Sequence, residues 1–220
     1  TSYEQALEFF ERNKSPCVIK PASGSGSELT SLCRTKEELA TAWDNIMISM
    51  SEKINDSMYL ETCGGSKSVL IQEYAEGTEY SCDFILKNHS AVILRLCRKY
   101  PSQRFGVTET YELLPEEQWP ASKADISRQL YHAAKALGNM KHSLIMVDFI
   151  KSSNDFKLLE MSPRAGGDCI PLLIKKATGI STIDLAVVVA KNEFINPQTL
   201  PVKKTFAAYR LFARNDGILI

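Results

Sequence analysis

The segment from Leu158 to Asp168 has the sequence LLEMSPRAGGD and carries three chemical types of side chain at two-residue spacing. Glu160 supplies a carboxylate, Ser162 a hydroxyl and Arg164 a guanidinium, and two glycines follow. Side chains two residues apart on a β-strand point to the same side of the sheet. If the chain stays extended, it presents an anion, an oxygen ligand and a cation together.

A second carboxylate, that of Asp148, lies on the preceding predicted strand. The predicted strands 144–150 and 156–161 flank a Ser-Ser-Asn-Asp turn, and a hairpin centred near position 154 places Asp148 opposite Glu160. Opposed residues of an antiparallel pair have β-carbons about 4.5–5.5 Å apart. Two carboxylates at that distance repel each other, whereas a magnesium ion with phosphate and water ligands would join them. A solvated strand end is the ordinary alternative.

A glycine- and serine-rich loop follows the first predicted strand. Lys20 ends the apolar run Cys17-Val18-Ile19, and residues 23–27 then read Ser-Gly-Ser-Gly-Ser. Glycines let backbone amides approach an anion, and a lysine adds positive charge. The spacing matches neither the Walker loop nor the Rossmann fingerprint. A flexible turn is the alternative explanation for this loop.

The elements that would position these residues alternate between strands and separate helices. Thr35 with Glu38, and Ser122 with Asp125, are capping signatures that predict two helix starts, and Gly138 predicts the end of the second helix. Hairpin-linked strands with separate helices indicate an α+β fold with antiparallel sheet. We predict strands at 17–19, 29–33, 69–74, 80–86, 91–98, 105–114, 144–150, 156–161 and 206–212. We predict helices from residue 3, from 35 to about 54, and at 122–137, 170–177 and 183–192.

The composition is that of a globular protein without a strong charge bias. The chain of 220 residues has 44% hydrophobic and 24% charged residues, with 26 basic and 26 acidic side chains. Net charge near zero argues against binding to nucleic acid or an anionic membrane, and no apolar run is long enough to span a bilayer. Six scattered cysteines, without zinc-site spacing, favour free thiols in a reducing cytoplasm.

Three segments in a fixed order carry a family resemblance. They are VIKPASGSGS at 18–27, LIQEYAEGTEYSCDF at 70–84, and MVDFI at 146–150 together with LLEMSPRAGGD. In this order they resemble the ATP-grasp family of carboxylate–amine ligases, particularly members related to carbamoyl phosphate synthase and L-amino-acid ligases. The resemblance extends from about Phe9 to about Phe194.

The resemblance implies an ATP-grasp fold of two lobes, with antiparallel sheets and flanking helices, that hold ATP between them. The first lobe would be residues 1–72, the second 73–196, and residues 197–220 a C-terminal strand extension. The sequence begins at Thr1 and directly with a helical pattern, so we expect a longer parent protein whose N-terminal part is missing here.

The resemblance also implies roles for individual residues. Lys20 matches the lysine that reaches the nucleotide, and Glu79 matches the acid that binds the ribose hydroxyls. Asp148 and Glu160 match the two magnesium ligands, and Arg164 matches an arginine at the reacting phosphate and acyl group. The phosphate loop would be Ser23, Gly24, Ser25, Gly26 and Ser27. The hinge strand that pairs with adenine would be Glu73, Tyr74 and Ala75.

The implied function is ATP- and Mg²⁺-dependent ligation, with Mn²⁺ as a second candidate ion. A small carboxylate would be activated as an acyl phosphate and attacked by an amine, with Arg164 and Lys20 in catalytic roles. The alternative is a degenerate ATP-grasp module that binds or senses nucleotide without ligase activity. Homo-oligomerisation through missing or C-terminal parts is an additional expectation.

Two departures from the family pattern favour the alternative. Ser162 stands where the family usually has Asn, and Glu28-Leu29 follow the phosphate loop where a basic residue and glycine are usual. We nevertheless include Ser162 among the candidate metal ligands. For Arg98, Lys99 and Arg104, which follow a long predicted strand, a solvated basic loop is favoured over contact with a charged substrate.

Overall fold

The computed structural model describes residues 2–13, 16–22, 26–52, 68–87, 89–138, 142–153, 155–193 and 198–211. The chain divides into two compact units. The first unit contains the residues up to Ala75 together with Pro101–Val107, and the second contains Glu76–Tyr100 and the chain from Thr108 onward.

The first unit is a small antiparallel sheet covered by helices. Its elements are α1 (Tyr3–Asn13), β1 (Cys17–Pro21), β2 (Ser31–Cys33), α2 (Lys36–Glu52) and β3 (Val69–Glu73), with strand order β2-β1-β3. Leu39, Ala42, Ile46 and Met50 recur at helical spacing along α2 and pack with Ile19 into one core cluster.

The predicted capping box starts α2. The amide of Glu38 donates to Thr35 Oγ1 at 3.2 Å, and the amide of Thr35 donates to Glu38 Oε2 at 3.3 Å. Ser122 caps the later predicted helix in a related way, since its Oγ accepts from the amide of Asp125 at 3.1 Å. Both predicted helix starts are therefore confirmed.

The second unit is built on a larger sheet with strand order β8-β7-β4-β5-β6-β9. Every strand pair whose register is described, in either unit, runs antiparallel. The strands are β4 (Thr78–Lys87), β5 (Ser90–Pro101), β6 (Thr108–Leu114), β7 (His142–Lys151), β8 (Phe156–Ser162) and β9 (Phe206–Tyr209). A short 3₁₀ helix, Glu116–Gln118, follows β6.

Helices cover both faces of this sheet. On one face, α3 (Lys123–Leu137) packs Ile126, Leu130 and Ala134 against alternate residues of β4 and β7. On the other face, α4 (Ile170–Thr178) and α5 (Thr182–Ala190) pack against the intervening residues. The α+β class with antiparallel sheets and flanking helices is thus confirmed.

Strand ends differ from the predictions, most clearly in β5. This strand continues to Pro101, so Lys99 is a strand residue, whereas the prediction ended the strand at Arg98. The predicted β6 began at Phe105, but residues 101–107 belong to the first unit and β6 begins at Thr108. The predicted end of α2 and Cys63 lie outside the described residues.

Two further features concern the cysteines and the length of the helices. The five described cysteines are free thiols, and four of them are buried. In the part of the chain that the structure describes, no helix is both long and apolar enough to cross a membrane.

Candidate functional site

The hairpin of β7 and β8 places Asp148 opposite Glu160. The predicted pairing is therefore confirmed, but the register of the hairpin near its turn differs from the prediction. Symmetry about position 154 would pair Lys151 with Lys157, whereas Lys151 pairs with Phe156. A bulge next to Asp148 adds one residue to β8 and restores the pair with Glu160.

Packing on the hairpin shows the effect of the bulge. Phe156 and Met161 both contact the same core cluster, although an odd separation of five residues would put them on opposite faces of a regular strand. The bulge resets the alternation between them. Glu160 and Ser162, on either side of Met161, consequently turn away from that cluster.

A buried ammonium joins carboxylates from two other strands. Lys99 Nζ on β5 lies 2.6 Å from Asp148 Oδ2 on β7 and forms a second ion pair with Glu79 Oε1 on β4. The side chain of Lys99 is only 8% exposed. The expectation of a solvated basic loop is therefore wrong for Lys99, while the side chain of Arg98 is 41% exposed on β5 and Arg104 is exposed.

Burial and charge change the pKa values of this cluster. Burial raises the pKa of Glu79 above the usual range of a glutamate, although the neighbouring Lys99 opposes the shift. Burial alone would lower the pKa of Lys99, but the carboxylates of Asp148 and Glu79 outweigh it and raise that pKa. Lys99 is therefore positively charged at neutral pH.

The second oxygen of Asp148 fits a metal ligand. Asp148 Oδ1 is buried and has no hydrogen-bond partner among the described residues. A buried carboxylate oxygen without a donor is costly, and a cation would satisfy it. Opposite it, Glu160 is exposed and reachable. The oxygen chemistry of this pair suits Mg²⁺.

The described acidic side chains would supply only part of the coordination shell of a metal ion. In the described ranges, no group of three or more His, Cys, Asp or Glu side chains is arranged to hold a metal ion. Magnesium commonly uses one or two carboxylates and takes its other ligands from phosphates and water. Ser162, half-buried and paired with Met146, lies two residues beyond Glu160.

Arg164 does not continue the strand face as the extended-chain expectation required. The strand ends at Ser162, and the amide of Arg164 donates to the carbonyl of Ser162 at 2.8 Å. The guanidinium Nη1 donates to the carbonyl of Ala165 at 3.0 Å. The side chain is exposed and folded onto its own loop, so reaching a ligand requires a rotamer change.

Of the two glycines after Arg164, Gly166 has a packing reason. The amide of Gly166 donates to Asp83 Oδ1 at 3.0 Å, and the same oxygen pairs with Arg95 Nη2 at 2.8 Å. The side chains of Asp83 and Arg95 are both 0% exposed. A β-carbon on Gly166 would lie 2.3 Å from that Nη2, whereas one on Gly167 would meet only Arg164 Nη1, at 3.7 Å.

Sequence reasoning missed Lys99, Asp83 and Arg95. Asp83 and Arg95 interrupt the apolar runs of two hairpin-linked strands, and a charge of each sign at such places indicates a buried ion pair. Lys99 lies two and four residues after Cys97 and Arg95 and so faces the same side of β5. The alternation of the strands indicates the pair of Asp83 and Arg95, whereas Lys99 lies one residue beyond the predicted end of its strand.

The first unit contains Lys20 and the residues predicted to bind the nucleotide phosphates. Lys20 lies on β1 opposite Leu70 and is half-buried. Ser23, Gly24 and Ser25 lie outside the described residues. Gly26 and Ser27 have positive φ angles of 64° and 60°, so the end of the loop is a left-handed turn.

The predicted adenine strand is β3 and the residues that follow it. Glu73 ends β3 opposite Cys17, and β3 is an edge of its sheet. The amide of Tyr74 donates to the carbonyl of Pro16 at 2.9 Å, so this amide is already used. Ala75 is buried.

Comparison with known proteins gives the family. A profile of the ATP-grasp domain matches residues 13–172. The chain belongs to the ATP-grasp family. This ATP-grasp chain is 24% identical over 189 residues to the carbamoyl phosphate synthase large chain of Thermomicrobium roseum, covering 84% of this chain and 16% of that protein.

A second relative is carnosine synthase 1 of Homo sapiens. It is 24% identical over 127 residues, which cover 58% of this ATP-grasp chain and 15% of that protein. The chain thus spans about a sixth of the length of the curated relatives it matches.

Solved ATP-grasp structures share the fold. The biotin carboxylase domain of Hydrogenobacter thermophilus 2-oxoglutarate carboxylase, in complex with MgADP, ADP and bicarbonate, has a TM-score of 0.68 at 17% identity, covering 94% of this chain and 44% of that one. L-amino acid ligase from Bacillus licheniformis has a TM-score of 0.67 at 16% identity, covering 98% and 56%. At these identities the likeness concerns the fold.

Proposed function

We propose that this chain is the ATP- and Mg²⁺-dependent part of a ligase that activates a small carboxylate as an acyl phosphate for attack by an amine. The observation that carries the proposal is the opposed pair of Asp148 and Glu160, with Asp148 Oδ1 buried and lacking a partner among the described residues. In an ATP-grasp chain, a divalent ion that bears the nucleotide phosphates accounts for this pair. The relatives named as a synthase or a ligase support the same reaction class.

The family resemblance assigns nucleotide-binding roles to residues within each unit. Lys20 and the loop of residues 23–27 donate positive charge and backbone amides to phosphate oxygens. Ala75 offers its backbone to adenine beside Glu73 and Tyr74, and Glu79 accepts from the ribose hydroxyls. Because Lys99 holds Glu79 Oε1, the ribose hydroxyls would meet the other oxygen of that carboxylate.

The metal would be held by Asp148 and Glu160, with Ser162 as an additional oxygen ligand. When bound, Mg²⁺ neutralises the negative charge of the phosphate oxygens. Mn²⁺ has the same preference for oxygen ligands and is expected to replace it.

The chemistry itself needs orientation and positive charge more than covalent participation by the protein. An oxygen of the substrate carboxylate attacks the γ-phosphorus, and ADP leaves with the electrons of the broken bond. The amine then attacks the acyl carbon, a proton passes to solvent, and phosphate leaves. Lys20 and Arg164 stabilise the charge that develops on the transferred group, once Arg164 leaves the carbonyl of Ala165.

ADP release by the protein that contains this chain tests the proposal. We expect ADP to form with Mg²⁺ and a particular pair from a panel of the common amino acids, bicarbonate and ammonia, and to depend on both members of the pair. Asp148→Asn should abolish it, while Asp155→Asn, an exposed carboxylate at the turn of the same hairpin, should not. ATP binding without ADP formation for any pair would instead support the nucleotide-sensing alternative.

The remaining expectations stay predictions. The free thiols are in keeping with a reducing cytoplasm, and the balanced charge with the expected lack of binding to nucleic acid. Homo-oligomerisation and the lobe boundaries at 72/73 and 196/197 also stay proposals. The two structural units meet in sequence at Ala75, three residues after the first proposed boundary.

A further inference from the structure

We propose that Lys99 is a built-in counter-ion of the metal site, which holds the metal-free carboxylates together and leaves one oxygen of Asp148 for an incoming divalent ion. The inference rests on the proposed function, since it assumes that Asp148 and Glu160 bind a metal ion. It adds a residue that neither the sequence analysis nor the proposed reaction uses.

Three neighbouring strands contribute to this arrangement. The sheet order places β4 between β7 and β5, and Glu79, Asp148 and Lys99 come from these three strands in turn. One ammonium reaches both acids, at 2.6 Å from Asp148 Oδ2 and in an ion pair with Glu79 Oε1.

The two oxygens of Asp148 differ in their contacts: one is paired with Lys99, and the other is left for the proposed metal ion. Oδ2 accepts from Lys99, while Oδ1 is buried and has no partner among the described residues. A carboxylate is planar, so holding one oxygen also sets the direction of the other. Lys99 therefore leaves Oδ1 as the oxygen that Asp148 offers to an incoming ion.

The charge balance leads to the same conclusion. Glu79, Asp148 and Glu160 bring three negative charges and Lys99 one positive charge, which leaves an excess of two. One divalent ion neutralises that excess. Without Lys99, the excess negative charge would attract a divalent ion more strongly, and the buried acids would repel each other in its absence.

Titration of the protein with Mn²⁺ alone, followed by the paramagnetic resonance of the free ion, tests the inference. We expect the wild-type protein to bind Mn²⁺ and Glu160→Gln to lose that binding. Lys99→Met should bind Mn²⁺ at least tenfold more tightly than wild type. Without metal, the melting temperature of Lys99→Met should lie about 5 °C or more below that of wild type, and saturating Mn²⁺ should restore it.

The control removes one positive charge elsewhere. Lys175→Met changes an exposed lysine on α4 whose side chain contacts no carboxylate among the described residues. It should leave both the Mn²⁺ affinity and the melting temperature of the metal-free protein unchanged. Lys99→Arg should keep wild-type affinity. If Lys99→Met does not fold, Lys99→Gln, which removes the charge but keeps a donor, should show the same tighter binding.

Two results would overturn the inference in distinguishable ways. Mn²⁺ binding that Glu160→Gln abolishes, but that Lys99→Met leaves unchanged or weakens, overturns the role of Lys99 and keeps the proposed metal site. Absence of Mn²⁺ binding in both wild type and Lys99→Met overturns the metal site and, with it, this inference.

Discussion

At the scale of single residues, the two glycines of the Arg-Ala-Gly-Gly-Asp segment differ in how closely their backbones are packed. Gly166 packs its backbone against the buried ion pair of Asp83 and Arg95, where a β-carbon would lie 2.3 Å from the guanidinium. Gly167 has ordinary room, since its nearest neighbour would be at 3.7 Å. The loop that carries Arg164 is therefore anchored at one glycine only.

Replacing each glycine by alanine compares the effect of an added β-carbon on stability at the two positions. Gly166→Ala should lower the free energy of unfolding by about 1–3 kcal/mol, because the enclosed guanidinium must move and its ion pair with Asp83 is disturbed. Gly167→Ala should change it by less than about 0.5 kcal/mol. Urea denaturation of both variants measures the difference, and equal losses would show that the contact with Arg95 is not the reason for the glycine.

The ion pair itself gives a second prediction at this scale. Asp83→Asn should cost about 3–5 kcal/mol, because it leaves the Arg95 guanidinium charged inside the sheet's core. The double variant Asp83→Leu/Arg95→Met, which removes both charges, should be less destabilised than Asp83→Asn. Urea denaturation of Asp83→Leu, Arg95→Met, Asp83→Asn and the double variant measures these stabilities. A double variant whose loss of stability equals the sum of the losses of Asp83→Leu and Arg95→Met would refute the prediction.

At the scale of elements, the bulge in β8 decides which residue faces Asp148. The ladder near the turn pairs Lys151 with Phe156, and a regular continuation would bring Leu159 opposite Asp148. The extra residue shifts Glu160 into that position. The proposed metal pair therefore depends on an irregularity of the strand as much as on the identity of the acids.

Deleting Leu159 tests this geometry. The shortened strand can pair regularly and still place the glutamate opposite Asp148, with Phe156 and the methionine on the core face. We expect the variant to fold, with a stability change within about 1 kcal/mol, and to keep its Mn²⁺ affinity. Loss of Mn²⁺ binding in a folded variant would show that the bulged geometry itself is needed.

The sequence predicts local features of these elements better than their registers. The capping pairs Thr35–Glu38 and Ser122–Asp125 are recognisable because each depends on residues three apart. The bulge is not recognisable in this way, because it depends on Phe156 and Met161 meeting one core cluster. The prediction of a symmetric hairpin gave the correct pair of Asp148 and Glu160, although its turn centre at position 154 was wrong. The bulge compensates for that error.

The burial of Lys99 illustrates the same limit. Its partners Glu79 and Asp148 are 20 and 49 residues away in the chain, so no local pattern reports them. Adjacent basic residues usually mark a solvated surface, and Arg98 beside it keeps 41% of its side chain exposed. Only the order of β7, β4 and β5 in the sheet makes the ammonium a partner of two acids.

At the scale of the whole molecule, the family and the fold are better determined than the reaction. The match over residues 13–172 and the shared fold place the chain among ATP-grasp proteins. The balanced charge gives no broad field to attract a polyanion, so nucleotide binding has to come from local groups. These groups are the proposed phosphate loop and the carboxylate pair of the second unit.

The most direct test of the central claim is the thermal stability of the protein with Mg²⁺ and a non-hydrolysable ATP analogue. A ligand at 100 times its dissociation constant stabilises the folded state by about 2.7 kcal/mol. Wild type and Asp155→Asn should gain this stabilisation and lose it when EDTA removes the metal. Glu160→Gln should melt like wild type without ligand, because Glu160 is exposed, and should gain little when ligand is added. Full stabilisation of Glu160→Gln, dependent on Mg²⁺ as in wild type, would contradict the assignment of Asp148 and Glu160 as the metal site.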